Sequence, residues 1–351
     1  MGTLKGSDAA APIRTAVVGF GISGKVFHAP LIGAAPDYSL DVIVTADPDR
    51  AAEAASRYPH ARVVPTPEAM FALAGELDLV VLGTPPLTHF DLAASAIARG
   101  LHVVVDKPFV TTSTHGKELM SRASDAGVQL TVFQNRRWDA DFLTLQKLLT
   151  EGALGEVRTF ESRFEWWRPE GFGNWRDTAA VAAGGGILND LGAHLIDQAI
   201  QLFGPVAASH GETATHGPDP DGADTEAFVS LLHESGVRSR LWMNGMAAQV
   251  GPRFHVLGSE AGYMKWGLDS QEPALAAGMT PSDPAYGADP QTHWGTLGVD
   301  GDRQPIVPEP GAYPAFYTRL AAALRGQGPL PVDPAESLEV LAVIEKIHAL
   351  A

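Results

Sequence analysis

Three ionisable residues share one face of a predicted helix in an otherwise apolar stretch. Asp190, His194 and Asp197 stand at positions i, i+4 and i+7, which an α-helix places on a single side. Burying polar groups without partners costs about 2–7 kcal/mol, so this stripe must find partners. Histidine has an ordinary pKa of about 6.5 and can take a proton at neutral pH. We therefore predict that His194 handles a proton and that Asp190 orients its ring or binds a substrate hydroxyl. A purely structural histidine is the simpler alternative.

A lysine ends one of the predicted strands, in the run Val105-Asp106-Lys107-Pro108. Ligands of open α/β sheets lie beyond the carboxyl ends of the strands, so we expect the Lys107 ammonium in a substrate crevice. There it would polarise the hydroxyl oxygen whose proton His194 takes, and Asn189 is also expected to contact the substrate. The Asp-x-x-x-His spacing can chelate a metal as well. Nothing marks a third ligand, however, and we predict no metal site.

A complete G-x-G-x-x-G pattern follows the first predicted strand and opens a helix. Its residues are Gly19, Phe20, Gly21, Ile22, Ser23 and Gly24. In a first βαβ unit, the first glycine permits the tight turn, the second lets the backbone approach a pyrophosphate, and the third lets helix and strand pack closely. The helix N-terminus adds free N–H groups that face the phosphates. The pattern predicts a dinucleotide site.

The end of the second predicted strand carries an acid that bears on the choice of cofactor. Asp47 lies about 20 residues past the glycine pattern, where a carboxylate takes the ribose hydroxyls of an adenosine. That favours NAD, although Asp47 is also suited to cap the helix that follows. Arg50 offers a counter-charge to a 2′-phosphate, so NADP stays open. Other residues expected around the cofactor are Thr84, Pro85, Pro86, His89, Asp106 and Lys107.

Short aliphatic runs alternate with helical stretches through residues 13–134. The helical stretches include Thr88–Arg99 and Thr114–Ala126, and the aliphatic runs are Ile13–Val18, Leu40–Ala46, Leu79–Gly83, Leu101–Val105 and Val128–Phe133. Runs of this kind are typical of strands buried on both faces of a parallel sheet. The fold class is therefore α/β, beginning with a doubly wound Rossmann domain.

Residues 135–351 follow a different pattern, in which consecutive strand signals lack intervening helices. After helices at Asp139–Thr150 and Gly185–Phe203, the strand signals are Val206–Thr215, Thr225–His233, Val237–Asn244, Arg253–Leu257 and Tyr263–Trp266, with an earlier one at Glu156–Trp166. This pattern predicts an α+β domain for substrate binding and oligomerisation, with a large, open, mostly antiparallel sheet. We predict a long loop at Gly267–Pro310, then helices Pro314–Leu324 and Pro334–Leu350. Residues 1–12 are predicted to be a flexible tail.

The composition limits the classes of partner. The chain has 351 residues, no cysteine and a formal net charge of −16. The lack of cysteine excludes disulfides and thiolate metal sites. Acidic charge repels phosphate backbones and anionic lipid, so we expect neither nucleic acid nor a membrane as partner. No stretch is typical of a signal peptide or a membrane span, so we expect a cytoplasmic protein.

These features together resemble the Gfo/Idh/MocA oxidoreductase family. The likeness rests on the glycine turn, Asp106-Lys107-Pro108, the Asp190–His194 helix, and four runs: GFGISGKVFHAP (Gly19–Pro30), NRRWD (Asn135–Asp139), Trp175-Arg176 and GLDSQEPA (Gly267–Ala274). Those runs are similar to the branch that contains NADP-dependent scyllo-inositol 2-dehydrogenase. The resemblance implies a catalytic set of Lys107, Asp190 and His194. It also implies substrate contacts for Arg136 and Arg163, cofactor contacts for Gln134, Asn135, Trp175 and Arg176, and a homodimer or homotetramer built through the open sheet.

The chain departs from that branch in ways that bear on cofactor and substrate. Asp106 replaces the more common glutamate, and Ala46-Asp47 replaces a Ser-Arg pair, which argues for NAD. Trp166-Trp167 and Gly171-Phe172-Gly173 add aromatic surface suited to stacking on a pyranose, so a sugar or glycoside stands beside an inositol as the expected substrate.

Three functions stay open at this point. The first is a dehydrogenase that acts on a ring hydroxyl of a sugar or polyol. The second keeps the cofactor but uses transient oxidation to eliminate a group or cleave a glycoside. The third is a non-catalytic protein that senses a nucleotide. An intact set of Lys107, Asp190 and His194 favours an enzyme, because a sensor needs no acid–base pair.

Overall fold

The structure, a computed structural model, describes residues 11–216 and 222–350 of the chain. Residues 1–10, the greater part of the predicted tail at 1–12, lie outside the described residues. The described residues contain one sheet of six strands and one of eight. Within them, no helix is long and apolar enough to cross a membrane.

The first sheet is parallel throughout and has helices between its strands. Its strands are β1 Ile13–Val18, β2 Tyr38–Val44, β3 Arg62–Val64, β4 Leu79–Leu82, β5 His102–Asp106 and β6 Leu130–Phe133. The helices are α1 Ala29–Ala34, α2 Pro48–Arg57, α3 Pro67–Phe71, α4 His89–Ile97 and α5 Ser113–Ala126. The strand order β3-β2-β1-β4-β5-β6 confirms the predicted doubly wound Rossmann sheet. The short strand β3 was not predicted, because only two of its residues are aliphatic.

The reversal of strand order between β1 and β4 determines where a ligand can bind. Neighbouring connections leave in opposite directions there, which opens a crevice beyond the carboxyl ends of the strands. Every residue of β4 is buried, as expected for a strand covered on both faces. The glycine turn follows β1, Gly83 and Thr84 follow β4, and Lys107 follows β5. These three segments therefore meet at one edge of the sheet.

The second sheet is mostly antiparallel. Its strands are β7 Thr159–Glu165, β8 Val206–Ala214, β9 Glu226–His233, β10 Arg238–Asn244, β11 Phe254–Leu257, β12 Gly262–Lys265, β13 Gly295–Val299 and β14 Asp302–Ile306, in the order β14-β13-β12-β11-β7-β10-β9-β8. Among the described strands of this sheet, β7 and β10 form the one parallel pair. The remaining helices are α6 Ala140–Thr150, α7 Ala193–Phe203, α8 Gln271–Ala276, α9 Pro314–Leu324 and α10 Pro334–His348. The predicted α+β architecture is confirmed.

The predicted loop at Gly267–Pro310 is wrong in part. It contains α8 and the hairpin of β13 and β14, which extends the sheet by two strands. Most of β14 is exposed, and Pro305 lies within it. Proline is tolerated in an edge strand, where its missing N–H faces solvent. A strand of this kind lacks the alternation of apolar residues on which the prediction depended.

One face of the second sheet is covered by the helix that carries the predicted polar stripe. Along β7, Phe160, Ser162 and Phe164 are buried, while the residues between them lie on the opposite face. The buried face packs against α7, which begins after a π-helical turn at Leu188–Gly192. The predicted helix at Gly185–Phe203 is thus present from Leu188 onward, with a widened first turn that contains Asp190.

The end of the chain returns to the first sheet. The ring of Phe316 packs edge-to-face on Phe133 with centroids 4.9 Å apart. The Tyr38 hydroxyl donates to the carbonyl of Tyr317 at 2.7 Å. Helix α9 therefore contributes to the core of the dinucleotide-binding half, beyond the predicted limits of residues 13–134.

Candidate active site

The glycine turn has two crowded positions and one open position. An added Cβ at Gly24 would lie 1.9 Å from the carbonyl oxygen of Gly19, and one at Gly19 would lie 2.8 Å from that of Gly83. Gly19 also has a φ of +94°, which side chains rarely adopt. At Gly21 the nearest atom would be 3.8 Å away, on Arg50. The first and third glycines therefore serve packing, while the second leaves room for a pyrophosphate.

A groove of about 560 Å³ runs along the edge of the first sheet where these segments meet. Its lining includes most of the predicted cofactor residues: Gly19, Phe20, Gly21, Ile22, Ser23, Asp47, Arg50, Thr84, Pro85, Pro86, Asp106, Lys107, Trp175 and Arg176. The space lies within the range of small-molecule sites. Its shape and the open Gly21 fit a dinucleotide whose pyrophosphate lies on the turn.

Asp47 caps a helix and also reaches the wall of the groove. One oxygen, Oδ1, accepts hydrogen bonds from the backbone N–H groups of Asp49 and Arg50, each at 3.0 Å, and so caps α2. The other oxygen, Oδ2, lies 3.8 Å from the Arg50 guanidinium at the wall of the groove. The cap does not occupy Oδ2, which leaves an acceptor for a ribose hydroxyl.

Lys107 and Asp190 form an ion pair between the two halves of the chain. Lys107 Nζ lies 2.6 Å from Asp190 Oδ1 and 2.9 Å from the Asp190 carbonyl oxygen. The Arg176 Nε lies 2.8 Å from the same Oδ1, so one carboxylate oxygen faces two cations. Burial opposes ionisation of Asp190, but Lys107 and Arg176 outweigh it and hold the pKa of this carboxyl below its ordinary value.

His194 lies one turn further along the helix and is 4% exposed. Its ring meets Phe164 edge-on at 6.2 Å, and its Nδ1 has no hydrogen-bond partner among the described residues. Burial, reinforced by nearby cations, holds the pKa of His194 well below its ordinary value; the cations are Lys107, Arg136, Arg253 and Arg176. The imidazole is therefore neutral at pH 7 and can accept a proton.

The third residue of the helical stripe, Asp197, has a structural partner. The Arg137 guanidinium binds Asp197 with two hydrogen bonds, of 2.8 and 2.6 Å, and also reaches Glu336 of α10 at 2.6 Å. Asp197 therefore anchors α7 to the neighbouring segments and is not directed at His194. Of the two acids near the histidine in sequence, Asp190 is the one that joins the candidate site.

Residues 134–136 are packed beside the candidate site. Arg136 stacks its guanidinium over Phe164 at 4.9 Å and pairs with Glu272 at 2.9 Å. Gln134 and Asn135 are buried. Asn189 donates to the Gly185 carbonyl at 2.7 Å, which stabilises the turn that carries Asp190. Their predicted cofactor and substrate contacts stay predictions.

Two residues that were predicted to contact the cofactor or the substrate, His89 and Arg163, do not face the candidate site. His89 is buried, with Nε2 2.8 Å from the Thr84 carbonyl and Nδ1 3.1 Å from the Pro108 carbonyl. It therefore links the loops that follow β4 and β5 and does not face the groove. Arg163 lies on the face of the second sheet opposite His194, because it alternates with the buried Phe164. There it stacks over Trp242 at 3.9 Å, and its predicted substrate contact is corrected to a contact on the open face.

A second cavity, of about 520 Å³, adjoins the groove. Arg176 lines both spaces, and Asp190 lines the second cavity. The other side chains around it come from the segment after β7 and from the ends of β8, β9 and β10; they include Arg168, Glu170, Phe172, Asp224 and Met246. Phe172 was predicted from the sequence to add aromatic surface, whereas no motif in the sequence marks Asp224 or Met246.

A sheet of this order with an open glycine turn and a lysine at the crevice is typical of Rossmann-fold, nicotinamide-binding oxidoreductases. Residues 13–134 match the oxidoreductase family with an NAD-binding Rossmann fold, and residues 142–264 match the GFO/IDH/MocA C-terminal domain. The chain belongs to the Gfo/Idh/MocA family. The resemblance drawn from the sequence is thereby confirmed.

Similar proteins cover nearly the whole chain. The oxidoreductase YdgJ of Escherichia coli is 39% identical over 95% of this chain and 94% of its own. The NADP-dependent scyllo-inositol 2-dehydrogenase IolW of Bacillus subtilis is 34% identical over 97% of this chain and 94% of its own. The solved structure of an oxidoreductase from Yersinia pestis is 39% identical, covers 97% of this chain and 95% of its own, and superimposes with a TM-score of 0.88.

Proposed function

We propose that this protein is an NAD(P)-dependent dehydrogenase that acts on a ring secondary alcohol of a sugar, a sugar derivative or an inositol. One observation carries the proposal: the pair of Lys107 and Asp190 lies at the junction between a groove that fits a dinucleotide and a second cavity that fits a small molecule. A nicotinamide bound in the groove would supply the hydride acceptor or donor for an alcohol held at that junction.

The three predicted catalytic residues would divide the work at the alcohol. Lys107, as an ammonium, would polarise the hydroxyl oxygen and stabilise negative charge that develops on it. His194 would take the hydroxyl proton, because its lowered pKa keeps the imidazole neutral. It is buried and is not part of the described lining of either space, so the alcohol must approach it past Asp190. Asp190 would hold Lys107 in place and accept a hydrogen bond from a neighbouring hydroxyl of the ring.

Asp47 supports NAD as the preferred cofactor. Its free Oδ2 at the groove wall would accept from the ribose hydroxyls and would repel a 2′-phosphate. Arg50 lies beside it and offers the counter-charge that NADP needs, so we expect use of both cofactors with NAD favoured. The similar protein IolW is NADP-linked, so the two cofactors must be compared directly.

A screen of inositols, aldoses and glycosides with each cofactor tests the function. Reduced nicotinamide should accumulate with some member of the panel, and Lys107→Met should lower kcat by about 10²-fold or more. Lys117→Met on the exposed side of α5 is the matched control and should match the wild type. No turnover by folded protein that binds cofactor would refute the dehydrogenase. Product release without net reduced cofactor would instead indicate chemistry by transient oxidation.

The open face of the second sheet supports self-association as part of this proposal. Trp242 lies there between Arg163 at 3.9 Å and Phe228 at 5.1 Å, and Leu232 of β9 and Leu257 of β11 are exposed. The same face carries ion pairs such as Arg163–Glu161, and a mixture of exposed apolar side chains and paired charges is suited to a protein interface. Light scattering should give a dimer or tetramer, and Trp242→Glu should shift it toward monomer. The predicted cytoplasmic location belongs to the same proposal.

A further inference from the structure

We infer that the second cavity receives a substituent attached to the reacting ring, so that the substrate is a glycoside with an uncharged apolar or aromatic group. The inference deepens the proposed function and rests on it. It follows from where the cavity begins, how large it is and which side chains line it.

The cavity begins at the residues that would hold the reacting alcohol. Asp190 and Arg176 stand at its boundary with the groove, and Asp190 Oδ1 contacts Lys107 at 2.6 Å. The rest of its described lining comes from the segment after β7 and the ends of β8, β9 and β10, and it includes Phe172 and Met246. A ring bound at Asp190 therefore occupies one end of the space.

The volume exceeds what a single ring needs. A hexose displaces roughly six water molecules, or about 180 Å³ at ~30 Å³ each. The cavity holds about 520 Å³, so a monosaccharide or an inositol fills roughly a third of it. The rest would remain filled with water, and an apolar wall gains nothing from ordered water. A substituent on the ring would displace that water and bury the wall.

The far wall is suited to an apolar or aromatic group. Phe172 is 40% exposed and meets Trp166 edge-on at 5.9 Å, which fixes its ring while leaving a face free. Met246, Ile187 and Ala223 complete this wall. Aromatic faces and a polarisable thioether favour flat or apolar ligand groups.

The charges around the cavity argue against a phosphorylated substituent. Four acids line it: Glu170, Asp177, Asp190 and Asp224. Of the two arginines, Arg176 is paired with Asp190, which leaves Arg168 as the remaining arginine in the described lining. A phosphate or diphosphate would meet net negative charge there. Nucleotide sugars and sugar phosphates are therefore expected to be poor substrates.

Matched pairs of glycosides test the inference with the cofactor-loaded protein. For each of several sugars, in both anomers, kcat/KM is measured for the phenyl glycoside, the methyl glycoside and the free sugar. For the best phenyl glycoside, kcat/KM should exceed that of the matching methyl glycoside by about tenfold or more, because the phenyl ring buries the apolar wall of the cavity. UDP-glucose and glucose 6-phosphate form the anionic arm and should react more slowly than uncharged partners.

A variant of the wall links the preference to the cavity. Phe172→Ala should reduce the ratio of phenyl to methyl kcat/KM by about tenfold. Trp266→Ala is the matched control, since Trp266 is an exposed aromatic of the same half of the chain that is not part of the described lining. Its ratio should equal that of the wild type.

The outcomes separate this inference from the proposed function. If free sugars or inositols react as well as phenyl glycosides, the inference fails and the dehydrogenase stands. If nothing in the panel reacts, the proposed dehydrogenase activity is refuted. Calorimetric titration with phenyl glycosides then still tests whether the second cavity binds the phenyl group. Binding that Phe172→Ala weakens would support the subsite, and an absence of binding would refute it.

Discussion

The crowded and open positions of the glycine turn make opposite predictions for two similar substitutions. Gly24→Ala places a methyl group 1.9 Å from the Gly19 carbonyl oxygen, so the backbone must move. Overpacking of this kind costs about 1–3 kcal/mol. Gly21→Ala meets only the end of the flexible Arg50 side chain, at 3.8 Å, and Gly21 does not have a positive φ. Its effect on the unfolding free energy should lie within about 1 kcal/mol of zero.

Gly21→Ala should be the more stable of the two variants, yet its binding of the cofactor should be weakened. The Gly21 methyl group occupies the space where a pyrophosphate would approach the backbone, so NAD binding should weaken about tenfold or more, equal to at least about 1.4 kcal/mol. Thermal unfolding of the cofactor-free protein measures the stability of each variant, and calorimetric titration with NAD measures its affinity for the cofactor. Gly75→Ala is the control, because a Cβ there meets no atom within 4 Å in the same half of the chain.

Two results would refute this reasoning. Normal NAD affinity in Gly21→Ala would show that the pyrophosphate does not lie against that residue. Equal destabilisation by Gly21→Ala and Gly24→Ala would show that the two positions do not differ in packing, and the assignment of one glycine to packing and the other to the cofactor would fail.

Three further changes test the charges in and near the site. Arg176→Gln removes one of the cations that lower the pKa of Asp190, so at saturating cofactor the acid limb of the pH profile of kcat/KM should move to higher pH. Arg176→Lys keeps the positive charge and should move the limb less. An acid limb that stays in place in both variants would contradict the pairing of Arg176 with Asp190. Arg137→Ala leaves Asp197 buried without its partner and should cost about 3–5 kcal/mol in urea unfolding, a figure that unchanged stability would disprove. Burial lowers the pKa of His28 to about 4, below the ordinary value of about 6.5. Its contribution to stability is therefore complete above about pH 6.5 and lost as pH falls toward 4, by about 3 kcal/mol. Unfolding of wild type and His28→Gln across this range should show the difference narrowing, and a constant difference would contradict it.

The first sheet could be predicted because its signals are local. Buried parallel strands such as β4 are continuous aliphatic runs, and the glycine turn has a fixed pattern next to one of them. Lys107 could be placed at the crevice for the same reason, since it ends a strand whose neighbours were recognisable. The sequence predicted that Lys107 and His194 act on the same hydroxyl. It did not predict the direct contact of Lys107 with Asp190, 83 residues away, which required the structure.

The errors arose where the three-dimensional arrangement overrides local pattern. Arg163 was assigned to the substrate, yet strand alternation beside the buried Phe164 places it on the opposite face of the sheet. The hairpin of β13 and β14 lacks apolar alternation because it forms an exposed edge. Asp224 and Met246 come to the second cavity from separate strands, and no spacing in the sequence joins them.

The return of α9 to the first sheet has a consequence for how the chain must be made. Phe316 and Tyr317 fill the core beside Phe133, although they leave the ribosome about 180 residues after it. A nascent chain that has just completed β6 therefore exposes an apolar surface that its own C-terminus later covers. The nucleotide-binding half therefore completes this core only after α9 has been made, and we expect residues 13–134 on their own to leave the apolar surface uncovered.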